Sequence, residues 1–98
     1  MYAVIFKAKV KVLDAQYADA AKRMRDLAMA EYNCQEFVSS TEGDTEIAIS
    51  YWQCEKDILA WRNNAEHLAT QKLGQEKWYE SYTVEVVKVL RSYGSPSQ

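Results

Sequence analysis

Residues 2–12 alternate between two faces with a period of two. Tyr2, Val4, Phe6, Ala8, Val10 and Val12 fall on one side, and Lys7, Lys9 and Lys11 on the other. That period is the signature of a β-strand. Ala3 and Ile5 make the early part of the second face apolar as well, so the strand needs cover on both sides there. This demand constrains the fold strongly, because 98 residues suit one compact domain and leave little material for a second covering layer.

Asp14 follows as an N-cap, its carboxylate placed to accept from the free amides of the next turn. Tyr17, Ala20, Ala21, Met24, Leu27 and Ala28 recur at helical spacing, opposite Lys22, Arg23, Arg25 and Asp26. The helix ends near Tyr32, with Asn33 able to take the left-handed C-terminal position. Two strands are predicted near 34–41 and 45–52, joined through Gly43-Asp44, where glycine first suits a two-residue II′ turn. Ile47, Ile49 and Tyr51 share one face of the second, and Ala48, Ser50 and Trp52 the other.

Cys54-Glu55-Lys56-Asp57 opens another helix, with acidic residues where the helix dipole favours them, though cysteine is a poor cap. It is expected to carry Ile58, Leu59 and Trp61 inward. Asn63-Asn64 marks a break, a further helical piece runs over 65–73, and Gly74 is expected to stop it. A loop through Trp78-Tyr79 then leads to a last strand within 81–93. There Tyr82, Val84 and Val86 share one face, and Val87 and Val89 the other.

The order is β-α-β-β-α-β, a ferredoxin-like α+β arrangement with an antiparallel sheet, in a single domain over residues 1–93. The tail 94–98, GSPSQ, has linker composition and is expected to be flexible. One sheet face takes the helices. The other is expected to carry Ala3, Ile5, Ala48, Trp52, Val87 and Val89, and an open apolar face of that size calls for a second copy related by two-fold symmetry. A homodimer through the sheet face is therefore expected.

A net charge of -2 gives no general attraction to phosphate backbones, so nucleic acid is not an expected partner. No apolar run approaches the roughly 20 residues of a membrane span, and the lysines near the N-terminus follow the apolar residues rather than precede them. A cytoplasmic protein without membrane partners is expected. Cys34 and Cys54 with a single histidine and no CxxC make neither a disulfide framework nor a zinc site. The hairpin register sets Cys34 opposite Gln53 and near Cys54, but free thiols are the expected state. Glu36, Glu42 and Glu46 near the hairpin read as solvated charges, and Lys7, Lys9 and Lys11 as a wet strand face.

The run Ile49-Ser50-Tyr51-Trp52, followed by Ala60-Trp61, Ala65-Glu66-His67, Gln71, Gly74 and Trp78-Tyr79-Glu80-Ser81-Tyr82, resembles the antibiotic-biosynthesis monooxygenase superfamily. The likeness extends from the first strand to Tyr93, is strongest over 49–82, and is nearest to a subgroup of small bacterial proteins whose chemistry is largely unassigned. It implies a dimeric α+β barrel and cofactor-independent monooxygenation of an aromatic, polyketide-like substrate. In that chemistry the pocket removes or stabilises a phenolic proton, and the electron-rich anion reacts with oxygen. Such a site needs an apolar cavity, an aromatic wall and a few placed polar groups.

His67 is the natural base. On a helix Asn64, His67 and Gln71 form one polar strip, beside an apolar strip of Trp61, Ala65 and Leu68. The candidate catalytic residues are His67, Asn64 and Trp61; Trp78, Gln71, Tyr79 and Tyr82 are candidate pocket residues. The plainer alternative makes His67 a half-exposed helix residue or a tie to the following loop. A haem-degrading branch of the superfamily uses a first-strand asparagine with a tryptophan and a histidine from the helical region. Trp61 matches that tryptophan, but Phe6, Lys7 and Ala8 stand where the asparagine is expected, and the histidine's place falls near Gln71. Three readings follow: an oxygenase, a non-enzymatic dimer binding a hydrophobic or haem-like ligand, and an interaction module whose interior is filled.

Overall fold

A computed structural model describes residues 1–96. The elements are β1 (Tyr2–Val10), α1 (Ala15–Glu31), β2 (Glu36–Glu42), β3 (Thr45–Trp52), α2 (Glu55–Arg62), α3 (Ala65–Leu73), a π-helical turn (Gly74–Trp78) and β4 (Tyr79–Lys88). The sheet is antiparallel, in the order β2-β3-β1-β4. This is the ferredoxin-like arrangement, with the second helical segment divided in two.

The local signals act as expected. Asp14 Oδ1 accepts from the Tyr17 amide at 2.8 Å and starts α1. Asn33 takes φ +62° just past its end. Gly43 takes φ +60° in the hairpin while Asp44 does not, which is the II′ pattern. Cys54 begins α2 with no side-chain bond to a helix amide. Cys34 is buried and Cys54 exposed, and both are free thiols.

Register decides which faces meet. Tyr2 pairs with Trp52, Val4 with Ser50, Phe6 with Ala48 and Ala8 with Glu46. Paired residues project to the same side of a sheet, so Ala48, Ser50 and Trp52 face the helices. Val4, Met24, Leu27, Ala28, Cys34, Trp52, Ile58 and Trp61 form the core. Trp52 is wholly buried, and its Nε1 donates to Ser50 Oγ at 2.8 Å. Burying an indole of that size contributes roughly 4–6 kcal/mol of gross hydrophobic stabilisation.

The expected outer face is thus corrected by one residue of phase. Ala48 and Trp52 do not lie on it. Ala3 and Ile5 are joined instead by Tyr51 and Ile49, their partners on β3, with Ile47 and Val38 alongside and Val87 opposite Ala3. Val38, Ile47 and Val87 are exposed, so this face of the open sheet still carries apolar residues open to solvent.

Five further expectations change. Leu59 points outward, 54% exposed, because only Ile58 and Trp61 of α2 reach the core. Leu68 is also exposed, and α3 buries none of its residues. Gly74 does not stop the helix: it has helical angles and continues into the π-helical turn. Trp78 belongs to that turn and Tyr79 already starts β4, so no loop separates them, and β4 ends at Lys88. β1 ends at Val10, short of Lys11 and Val12. Of the tail, Gly94 to Pro96 take no regular structure, and Ser97 and Gln98 lie outside the described residues.

Candidate functional site

Between the helices and the inner face of the sheet lies a cavity of about 660 Å³, a volume typical of small-molecule sites. Its floor is the strand phase that includes Phe6, Ala48, Val84 and Val86; α1 contributes Tyr17 and Met24, α2 Ile58 and Trp61, and α3 His67, Thr70 and Gln71. Trp78, Tyr79 and Tyr82 complete the wall. Of the seven sequence candidates, the fold brings Trp61, His67, Gln71, Trp78, Tyr79 and Tyr82 to this one space.

Asn64 is placed elsewhere. It is the N-cap of α3, its Oδ1 accepting from the amides of Glu66 at 2.9 Å and His67 at 3.1 Å. Its Nδ2 donates to the Tyr32 hydroxyl at 2.9 Å. The side chain that the sequence pattern put in a polar strip with His67 is thus occupied in starting the helix and tying it to the end of α1, away from the cavity wall. Arg23 makes a second tie from α1, its Nε 2.8 Å from Glu66 Oε2.

The break at Asn63-Asn64 re-aims the chain so that His67 returns toward Trp61. Their ring centroids are 4.3 Å apart and steeply inclined, while Trp61 also packs on Trp52 at 5.3 Å and meets Phe37 edge-on at 6.3 Å. Burial pushes the His67 imidazole below its ordinary value, the Arg62 charge adds to this, and the Arg62 backbone opposes it. The ring is therefore neutral at neutral pH and able to take a proton.

The π-helical turn shapes the other end. Gly74 is required there because a Cβ would stand 2.5 Å from Tyr79 Cε2. Gln75 Nε2 donates to the Tyr82 hydroxyl at 2.6 Å. Tyr79 and Tyr82 pack against Phe6 with centroids 5.4 and 5.8 Å away, and Tyr17 meets Trp78 edge-on at 5.3 Å. Burial raises the phenols of both Tyr17 and Tyr79 above their ordinary values.

Three ring nitrogens on this wall are buried without a hydrogen-bond partner: Trp61 Nε1, His67 Nδ1 and Trp78 Nε1. Buried polar groups are nearly always paired, and an indole N–H can only donate. All three are closed off from the empty cavity by surrounding protein atoms, so the cavity presents the ring faces and edges of these residues rather than these nitrogens.

Sequence reasoning missed Glu46, which it read as solvated. The residue is 8% exposed and lines the cavity, and its carboxyl accepts from the Thr41 hydroxyl. Phase alone did not reveal it, since the sequence pattern placed Ala48 and Trp52, which share the phase of Glu46, on the outer face.

No family model matches the sequence. The uncharacterized protein YqjZ of Bacillus subtilis (strain 168) is 40% identical over 91 residues, spanning 92% of this chain and 80% of that protein. Among solved structures, SnoaB, a cofactor-independent oxygenase from Streptomyces nogalater, superposes with a TM-score of 0.81 at 8% identity, covering 96% of this chain and 97% of SnoaB. A candidate antibiotic biosynthesis monooxygenase from Nitrosomonas europaea superposes with a TM-score of 0.75 at 17% identity, covering 93% and 100%. The chain belongs to the same family as YqjZ, and its fold is that of the antibiotic biosynthesis monooxygenases.

Proposed function

We propose that this protein is a small cofactor-independent monooxygenase that acts on an aromatic, polyketide-like substrate held in the cavity beneath α1 and α3. The observation that carries the reading is a cavity of about 660 Å³ walled by Trp61, Trp78, Tyr79 and Tyr82, with His67 and Gln71 among its polar lining residues. His67, kept neutral by burial, takes a phenolic proton from the substrate. Dioxygen is the oxidant and the substrate the reductant, with one oxygen atom entering the product and the other leaving as water. Trp61, Trp78, Tyr79 and Tyr82 hold the ring system, and Gln71 adds a polar contact beside His67. Asn64 acts as a positioning residue, since its cap fixes the turn that carries His67.

The working unit in this reading is a homodimer. Ile5, Ile47, Ile49, Tyr51, Val38 and Val87 share one face with nothing among the described residues to cover it, and a matching copy is the simplest cover.

The test is oxygen uptake on a panel of hydroquinone-type aromatics with purified protein. Uptake that falls at least about 100-fold in His67→Ala, as loss of a general base predicts, supports the reading; uptake unchanged in His67→Ala removes His67 from the mechanism. The same cavity with His67 on its wall also favours a second reading, a non-enzymatic dimer holding a hydrophobic or haem-like ligand. Saturable binding of haemin or of the aromatics with no oxygen uptake would select it.

A further inference from the structure

Glu46 sits on β3 in the phase of Ala48, Ser50 and Trp52, so its side chain leaves the sheet toward the helices. The residue is 8% exposed, and acidic side chains are almost never buried to that degree unless paired. Its pairing is partial. Thr41, its cross-strand neighbour on β2, donates a hydroxyl to Oε2, and the Tyr17 phenol on α1 comes within reach of the same carboxyl. Neither brings a positive charge. Among the described residues no lysine, arginine or histidine forms an ion pair with Glu46. A carboxylate offers about four acceptor positions, more than two hydroxyls fill.

The basic groups around it are held elsewhere. Lys77 is bound by Asp14 at 3.3 Å and by Gln16 at 2.5 Å. Lys9 belongs to the opposite phase of β1, between Asp44 at 3.9 Å and Glu80 at 3.8 Å. Lys22 is tied to Asp26 at 2.7 Å. Arg25 also lines the cavity, but it follows Tyr17 by two turns of α1, roughly 12 Å at the usual rise. Arg62 acts on His67, across the cavity on the helical segments that follow β3. The Glu46 end of the cavity is therefore acidic and lacks a cation of its own.

Aromatic rings wall the same end. Tyr79 and Tyr82 pack on Phe6 with centroids 5.4 and 5.8 Å away. Tyr17 meets Tyr79 edge-on at 6.0 Å. Strand pairing sets Thr41, Glu46, Ala8 and Tyr82 in one row across the sheet, with only the small Ala8 between the carboxyl and the Tyr82 ring. The charge of Glu46 reaches the phenols of both Tyr17 and Tyr79. Ring faces attract a cation that comes within about 6 Å of the centroid, so rings and carboxylate ask for the same charge. A neutral hydroxyl offers this end one hydrogen bond, whereas an ammonium group offers three and the missing positive charge.

We propose that Glu46 and the rings of Tyr17, Tyr79 and Tyr82 form a site for an organic cation, the protonated amine of a small ligand whose apolar body lies along the rest of the cavity. The proposal requires only that the cavity takes a ligand, and it is independent of oxygen chemistry.

The test compares 2-phenylethylamine, protonated at pH 7, with 2-phenylethanol, which carries a hydroxyl in place of the ammonium group. Dissociation constants are read from NMR chemical-shift titrations of the full chain. The wild type is expected to bind the amine at least about tenfold more tightly, as a charge-assisted hydrogen bond predicts. Glu46→Gln keeps the shape and an acceptor for Thr41 but removes the charge, and is expected to bring the ratio to within about twofold. Tyr79→Leu removes one ring and is expected to lower the ratio about two- to fivefold. If Glu46→Gln does not fold, as judged by circular dichroism, Tyr79→Leu decides alone. The proposal is overturned by a wild type that shows no preference, by an unchanged ratio in either variant, or by no saturable binding of the amine. The charge preference with no oxygen uptake on hydroquinones would count against the oxygenase reading alone, and uptake without the preference against the cation site alone.

Discussion

The Trp61 indole and the His67 imidazole lie 4.3 Å apart between ring centroids, although a helix break separates them in the chain. The contact exists because Asn64 caps α3 through the amides of Glu66 and His67, turning the chain back over α2. The histidine is thereby held against an apolar ring, and burial, with the Arg62 charge beside it, lowers its basicity.

His67 is the only histidine in the chain, so its titration can be followed without overlap. Burial lowers its pKa below the ordinary 6.5. As pH falls, the unfolded chain therefore takes up the proton before the folded one does. This contribution to stability is full above pH 6.5 and is lost as pH drops toward the folded value. Proton NMR of the imidazole is expected to show a midpoint below 6.5, and thermal unfolding across that range is expected to flatten in His67→Gln. A midpoint at or above the ordinary value would contradict the placement of the ring.

Ser50 receives the Trp52 Nε1–H in the middle of the core. Ser50→Ala leaves that donor buried without an acceptor, and a loss of about 1–3 kcal/mol is expected. Urea unfolding measures it. A change below about 0.5 kcal/mol would mean that the indole N–H finds another partner.

Gly74 faces the Tyr79 ring so closely that a methyl group would meet it at 2.5 Å. Gly74→Ala is expected to cost about 1–3 kcal/mol through overpacking, even though alanine favours helix. Because the displaced ring lines the cavity, ligand affinity should fall in the same variant. An alanine variant more stable than the wild type would show that the turn relaxes instead.

Ile49 pairs with Ile5 at the centre of the outer sheet face. Ile49→Lys places a charge in the proposed subunit contact while leaving the inner core untouched. Sedimentation is expected to give a dimeric mass for the wild type and a monomeric one for the variant. A monomeric wild type at micromolar concentration would reject the dimer.

The readable part of the fold was the local part. The alternation in β1, the Asp14 cap, the left-handed Asn33 and the Gly43 turn each follow from a few adjacent residues. The register of β1 on β3 does not. It depends on long-range packing, and a slip of one position exchanges the faces, which is why Trp52 was expected outside and is found at the centre of the core. Glu46 was misread for the same reason, since a charge beside a turn looks solvated until the strand phase is known. Six of the candidate site residues were legible because aromatic and polar groups cluster in 61–82. Asn64 was not, because a cap and a polar strip use the same spacing and only the hydrogen bonds separate them.

α3 gives the cavity His67 and Gln71 yet buries none of its own residues. Substitutions along it therefore disturb core packing little, while they alter what the cavity presents to a visitor. A lineage built on this scaffold can exchange one ligand for another by drift in nine residues, Ala65–Leu73, with the packing of the sheet on α1 and α2 left as it is. Sequence divergence among such proteins should then concentrate in α3, and changes of chemistry with it.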